Sequence, residues 1–549
     1  MLAKSGASPK IGLILFWGAF IVFWFATLGQ RALIHPDEGR YAELSLGMLQ
    51  SGDWITPRLN GILYFEKPAM QYWMGAISFL IFGINEFAAR FWPALTGILS
   101  VAAVGLTARR IWGNGHYAAL VMGGSVWVIA NSHFVNLDTG LLFFLTLTLC
   151  AFLWSQNDAA TSSEQRYGMW IAWAAMAGAT LSKGLIGLVI PAGALFLYSL
   201  LHWQWGVLRR MQWLPGLAIF LALTVPWFWM VSERNPDFAR FFFIHEHFER
   251  FLTNTHRREE PFWFFIPVLL AGFLPWSSLL PRLVTESFRR QGKSHFQTGR
   301  FLLIWAVFVF LFFTKSGSKL PSYILPMFPA LALLLGRTLA NAQPQSLKKH
   351  LIIPIALWGL IACASLIVDH VPTDEGTPMA VLRHFSLYLS AGGLGFLVCA
   401  VLAWRSLSHG KTLPAIMLLA AGSLWGVLAS SAGHDAIGQL KSSKQIVEQI
   451  RPHLRPDTEI FSIQSYDQTF PFYLQRRVIQ VEYKDEFSFG QGVEPDKAVP
   501  TLGEFIQRWK AARSAMAMME NATFNDLQNR GVEMKPIYQD VRRKVVIKP

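Results

Sequence analysis

The sequence predicts an all-α polytopic membrane protein of about 13 transmembrane helices, followed by a soluble α/β domain at the C-terminal end. Three observations predict it. The 549 residues are 53% hydrophobic and only 15% charged, with 22 Trp and 43 Phe, which suits apolar spans ending in aromatic belts. Runs long enough to cross about 30 Å of hydrocarbon recur through most of the chain. From about Ala436 that pattern stops, and short alternating segments replace it.

The chain opens with Lys4 and Lys10 ahead of an apolar run at 11–29. No small-residue cleavage site follows, so this run reads as a retained first span and not as a signal peptide. Further runs lie near 87–108, 116–133, 138–155, 167–182, 184–202, 212–231, 262–281, 299–314, 320–340, 349–369, 384–404 and 413–431. The block 69–84 is short and starts directly after Pro68, which makes it a juxtamembrane or re-entrant helix.

With that block left uncrossed, the basic loops all fall on one side. They are Arg109-Arg110, Arg209-Arg210, Arg289-Arg290 with Lys293, Lys348-Lys349 and Arg405 with Lys411. The acidic stretch Asp369–Glu375 falls on the other. The positive-inside bias therefore places the N-terminus in the cytoplasm. The loops 30–86 and 232–261, and everything after the last span, then lie outside. The same bias accounts for most of the formal charge of +14. Anionic membrane lipid is the partner expected for the remainder, and nucleic acid is not. Cys150, Cys363 and Cys399 sit in apolar runs without disulfide or metal-ligand spacing, and read as buried structural residues.

The chain thus divides into a membrane part, 1–435, and an outer α/β part, 436–549. In the latter, Ser442–Leu454 and Thr501–Ser514 read as helices, and Glu459–Ile463, Arg477–Val481 and Val541–Ile547 as strands. No internal repeat or low-complexity tract is evident.

The ionisable groups of the membrane part gather near the outer face, where charge beside hydrocarbon points to a site. Each has an ordinary reading as well. Asp37 and Glu38 follow Pro36 at the start of a helix over Glu38–Leu49, where carboxylates suit the helix dipole. Tyr41 shares the face of Asp37. Glu66 and Lys67 form either a surface ion pair or a phosphate, metal or hydroxyl contact. Tyr64 is an interfacial residue or a platform for a sugar. Asp138 either caps the following helix or faces the site. Lys183 and the turn Lys315–Tyr323 add donors on the same side. In the amphipathic stretch 236–252, His245 falls on the apolar face, whereas Arg250 can grip a phosphate bidentately.

Taken together, these motifs resemble those of the GT-C membrane glycosyltransferases that use polyprenyl-phosphate sugars, particularly the lipid A 4-amino-4-deoxy-L-arabinose transferases. The protein O-mannosyltransferases are relatives of that group. The matching residues are His35-Pro-Asp-Glu-Gly-Arg-Tyr41, Tyr64-Phe-Glu-Lys-Pro68, Asn85-Glu-Phe-Ala-Ala-Arg90, Leu137-Asp138, Ser182-Lys-Gly-Leu185 and Ser318-Lys-Leu-Pro-Ser-Tyr323. They cover nearly the whole membrane part in order. Ser322 departs from the pattern, where Lys-x-Pro-Pro-Tyr carries a second proline.

The resemblance implies that Asp37 is the family's key outer-loop aspartate. Lys67 and Arg250 would bind donor phosphate, with Tyr323 on the same leaving group and Lys183 as a further cation. Tyr41 and Tyr64 would line the cavity, and Asp138 would orient Lys67. Glu66 and His245 occupy positions where a divalent ion such as zinc has been placed in the family. Two protein ligands make a poor zinc site by themselves, so a divalent ion at Glu66 and His245 stays an open alternative and no cofactor is required. The implied reaction moves aminoarabinose from undecaprenyl phosphate to a lipid A phosphate at the periplasmic face of a bacterial inner membrane, with inversion. The lower surface charge would favour resistance to cationic peptides and polymyxin. A monomer is expected. The alternatives are transfer of another polyprenyl-linked sugar, such as glucosamine or a hexose, to lipid A or to protein, and transport of a lipid-linked sugar. Transporters favour repeats and mid-membrane sites, which argues against the last.

Overall fold

The computed structural model describes residues 9–249, 260–288, 296–373 and 376–549, with only the backbone at 9 and 245–249. Among the described residues, seven helices are long and apolar enough to cross a membrane, or nine spans if each bent pair is one. Lys10–Ala26, Met70–Phe82 and Ile186–His202 are apolar but shorter. The run expected to cross at 262–281 is broken. Helix Phe265–Gly272 turns by 110° into Ser277–Ser287, with Pro275, which lacks a ladder donor, at the break. The run at 116–133 is likewise split, into Gly115–Gly123 and Val126–Ser132.

Sequence chemistry explains the helix ends. Asn85 accepts from the Ala88 amide at 2.9 Å and starts Glu86–Trp112, whose last turn carries Arg109 and Arg110. Thr161 and Glu164 form a reciprocal capping box at Ser162–Lys183. Met379–Ser408 keeps only 28% of its most apolar stretch inside the protein, as expected of a helix whose outer face meets lipid.

The segment after the first helix folds over the ends of the others. It contains helix Asp37–Ser51, a two-stranded hairpin of β1 (Arg58–Leu59) and β2 (Ile62–Leu63), and helix Met70–Phe82. The helix expected over Glu38–Leu49 is thus slightly longer, and stops at Gly52, in the left-handed conformation. Glu43, on this helix, is buried. Its carboxyl accepts from the Asn60 amide at 2.8 Å, while its other oxygen meets no partner among the described residues. Burial pushes this carboxyl up to about 8. The folded state therefore holds a proton that the unfolded chain gives up near 4.5. Stability is expected to fall as pH rises from there towards about 8. Melting curves of Glu43→Gln, which needs no proton, should lack that part of the slope.

The C-terminal domain is a six-stranded sheet of order β5-β4-β3-β6-β8-β7. Its strands are β3 (Glu459–Ile463), β4 (Ile479–Val481), β5 (Ala498–Val499), β6 (Ala515–Glu520), β7 (Lys535–Gln539) and β8 (Arg543–Ile547). β3 runs parallel to β4 and β6, and β8 antiparallel to β6. Alternation along the strands fills both faces. Phe461, Ile463, Ala517 and Met519 pack with Phe505 and Trp509, while Ile460, Met516 and Met518 pack with Ile446 and Val447. The expected helices are shorter, Lys444–Ile450 and Leu502–Ala511, and β5, β6 and β7 were not anticipated. The expected boundary at 435/436 falls in the last turn of helix Thr412–Gly438.

This domain sits on the first loop. Arg58 pairs with Glu494 at 2.9 Å, Lys444 with Glu86 at 2.7 Å, and the Asn60 amide group makes two hydrogen bonds to the Val478 backbone. A Cβ at Gly39 would lie 2.6 Å from the backbone of Gln468 and Thr469, so any side chain there would wedge the two apart. One apolar cluster, including Tyr64, Phe65, Tyr72, Phe238, Phe472 and Phe487, runs through both loops and the domain.

Candidate active site

Helix Asp37–Ser51 is aimed by a buried clamp. Arg90, fully buried, donates to both oxygens of Glu38 at 2.7 Å and to the carbonyls of Leu28, Arg31 and Ala32. Burial alone would raise the Glu38 carboxyl, but the Arg90 charge and hydrogen bonds outweigh it and hold the group below its usual range. The adjacent Asp37 is thereby left facing a cavity, its side chain 57% exposed.

That cavity, about 630 Å³, is bounded by the first loop, the helix ends near 127–138, Lys183, the 320–323 turn, Phe241 and the C-terminal domain. It brings together Asp37, Tyr41, Glu66, Lys67, Asp138, Lys183 and Tyr323. Tyr64 is not in its lining; it is buried behind the wall. Burial, and then the negative charge of Asp37, raises the Tyr41 phenol well above 10, and burial followed by Glu66 does the same for Tyr64. Both phenols therefore stay neutral. Arg250 lies outside the described residues, as does the His245 side chain.

Asp37 pairs with Arg40 Nη1 at 2.9 Å, and Arg40 Nε lies 2.5 Å from the Glu486 carboxylate. Lys67 Nζ donates to the Glu66 carbonyl at 2.6 Å. The expectation that Asp138 orients Lys67 is corrected by the geometry: Asp138 holds Lys183 on one oxygen and accepts from Ser322 Oγ at 2.6 Å on the other. Lys183 Nζ also sits 4.4 Å from the centre of the Tyr323 ring, a cation–π contact. Lys183 is thus held by side chains from two separate elements, helix Asp138–Gln156 and the 320–323 turn.

Sequence reasoning missed Arg40, Glu486 and Phe489. Arg40 lies in the quoted stretch, three residues from Asp37, where a helix pairs them. Glu486 and Phe489 come from the segment after β4, at the carboxyl edge of the parallel strands, the usual ligand edge of such sheets. Phe489 closes on Phe241 with ring centres 4.3 Å apart. Burial raises the Glu486 carboxyl, and Arg40 only partly offsets this.

Among the described residues, no group of three or more His, Cys, Asp or Glu could hold a metal ion. Glu66 lines the cavity, and the His245 side chain expected to share an ion with it lies outside the described residues.

The family model for the aminoarabinose transferase C-terminal domain matches residues 446–548, and that for dolichyl-phosphate-mannose-protein mannosyltransferase matches 11–242. The chain is 30% identical over 468 residues to the undecaprenyl phosphate-alpha-4-amino-4-deoxy-L-arabinose arabinosyl transferase of Enterobacter sp. (strain 638), covering 83% of this chain and 82% of that one. It is 36% identical over 339 residues to arabinosyl transferase 2 of the same description from Pseudomonas fluorescens (strain Pf0-1), covering 61% of this chain and 60% of the relative's length. The crystal structure of ArnT from Cupriavidus metallidurans bound to undecaprenyl phosphate is similar over 98% of both chains, with a TM-score of 0.94 and 35% identity. Its apo state gives 0.93 and 34%.

Proposed function

The chain belongs to the undecaprenyl phosphate-aminoarabinose arabinosyl transferase family, and we propose from this that it transfers 4-amino-4-deoxy-L-arabinose from undecaprenyl phosphate to a lipid A phosphate. It acts in a bacterial inner membrane through about 13 spans, with the cavity and the α/β domain, which begins after helix Thr412–Gly438, on the periplasmic side, as the basic loops favour. The product carries less negative charge, which favours survival of cationic peptides and polymyxin. The observation that carries the reading is one cavity lined by the Asp37 carboxylate, by two ammonium groups, Lys67 and Lys183, and by Tyr323.

The chemistry follows from charge. A phosphate monoester has its second pKa near about 6, so the acceptor is already an anion and needs no strong base. The difficulty lies in bringing two phosphates together while charge grows on the departing lipid phosphate. Lys67 and Lys183, with Arg250 from the second loop, neutralise that charge, and Tyr323 donates to the same group. Attack from the opposite face breaks the anomeric C–O bond and inverts the carbon. Asp37 offsets the positive charge that the sugar ring develops. Tyr41 lines the sugar's side of the cavity, with Tyr64 supporting the wall behind it. The protein acts as a monomer.

The test is mass spectrometry of lipid A from cells that make the donor but lack their own transferase. A gained pentosamine mass supports the reading, a hexosamine changes the donor, and unchanged lipid A sinks the acceptor. Lys67→Ala should lower the gain by about 100-fold, the usual loss when a transition-state charge contact is removed.

A further inference from the structure

The Ser322 hydroxyl is built into the cation wall of the cavity. It donates to Asp138 Oδ2 at 2.6 Å, while Asp138 Oδ1 holds Lys183. The backbone around Ser322 is pinned. Trp127 Nε1 donates to the Pro321 carbonyl at 3.0 Å, and the Tyr323 amide donates to the Leu320 carbonyl at 3.0 Å. Asp138 and Lys183 are both largely shielded, with side chains 13% and 16% exposed.

In that setting the second donor matters. A shielded carboxylate satisfied by one ammonium alone resists losing it, because departure strands a desolvated charge. A charge-assisted hydrogen bond from a fixed hydroxyl reduces that cost. We infer that Ser322 is a positioning residue that lets Lys183 pass from Asp138 to a phosphate oxygen of the lipid donor, and back when the phosphate leaves. The ammonium resting on Asp138 and the Tyr323 ring is a reserve cation, and Ser322 sets how readily it is released. The inference rests on the reading of this cavity as the donor-phosphate site.

The experiment measures undecaprenyl phosphate binding to the purified full-length protein and to Ser322→Ala, Ser322→Pro and Ser322→Thr, alongside donor KM and kcat. Ser322→Ala and Ser322→Pro should weaken binding and raise KM by about 10-fold, with kcat changed less than about 3-fold and the apo melting temperature unchanged. Ser322→Thr, which keeps the hydroxyl, should restore binding. In a Lys183→Gln background Ser322→Ala should have no further effect, a coupling that general loosening of the turn would not produce. Binding by Ser322→Ala within about two-fold of wild type, or equal losses in both Lys183 backgrounds, overturns the inference. Wild type that fails to bind undecaprenyl phosphate overturns the donor reading itself, and this inference with it.

Discussion

Asp37→Asn is expected to lower sugar transfer by about 1000-fold while leaving the protein folded and able to bind undecaprenyl phosphate. The substitution keeps the size of the side chain and its place in the first helical turn. The contact with Arg40 at 2.9 Å is half exposed on the aspartate side, and such pairs contribute only about 0–1 kcal/mol to folding. What disappears is the negative charge next to the sugar ring as its bond to phosphate lengthens. Single-turnover transfer with purified lipid A, run beside a binding assay, separates these outcomes. Retained binding with lost turnover supports the electrostatic role, and transfer within about ten-fold of wild type removes Asp37 from the chemistry. With a phosphate acceptor Asp37 need only stabilise charge. A protein hydroxyl acceptor would require it to take a proton.

The part of this site visible in the sequence is the part that contrasts with its surroundings. Carboxylates, cations and tyrosines at 35–41 and 64–68 stand out in a chain of hydrocarbon-soluble runs, and the cavity gathers most of them. The division of labour between Asp37 and Glu38 was not visible. Neighbours on a helix point about 100° apart, and only Arg90, arriving from another helix, decides which is buried. The contribution of Glu486 was hidden for a similar reason: it reaches Arg40 from the other end of the chain, and a glutamate beside an aspartate in a connecting segment carries no signal. In the C-terminal domain, Ala515–Glu520 reads Ala-Met-Ala-Met-Met-Glu, a run of helix formers. It becomes the strand between β3 and β8 because both its faces are buried against apolar side chains. Tertiary burial overrides local preference there.

Arg90→Leu is expected to cost about 3–5 kcal/mol of folding stability, the usual loss when one partner of a buried ion pair is removed. Few groups in the chain have so many dependants. The guanidinium fills both oxygens of Glu38 and three backbone carbonyls of the turn 28–32. Lysine cannot replace that planar fork, so Arg90→Lys should also lose stability. The pH dependence identifies the cause. In the wild type the Glu38 carboxyl sits below its ordinary 4.5, so its contribution is complete above that value and is lost as pH falls through the lowered one. Without Arg90, burial dominates and raises the same carboxyl, so the variant should recover stability on mild acidification as Glu38 takes up a proton. Melting temperatures at pH 7 and pH 5 therefore should diverge between the two proteins, with the gap narrowing at the lower pH. A constant gap would mean that Arg90 acts through its carbonyl contacts alone. A narrowing gap, matched by partial rescue in Arg90→Leu with Glu38→Leu, would mean that the charge pair fixes the helix start and with it the direction of Asp37.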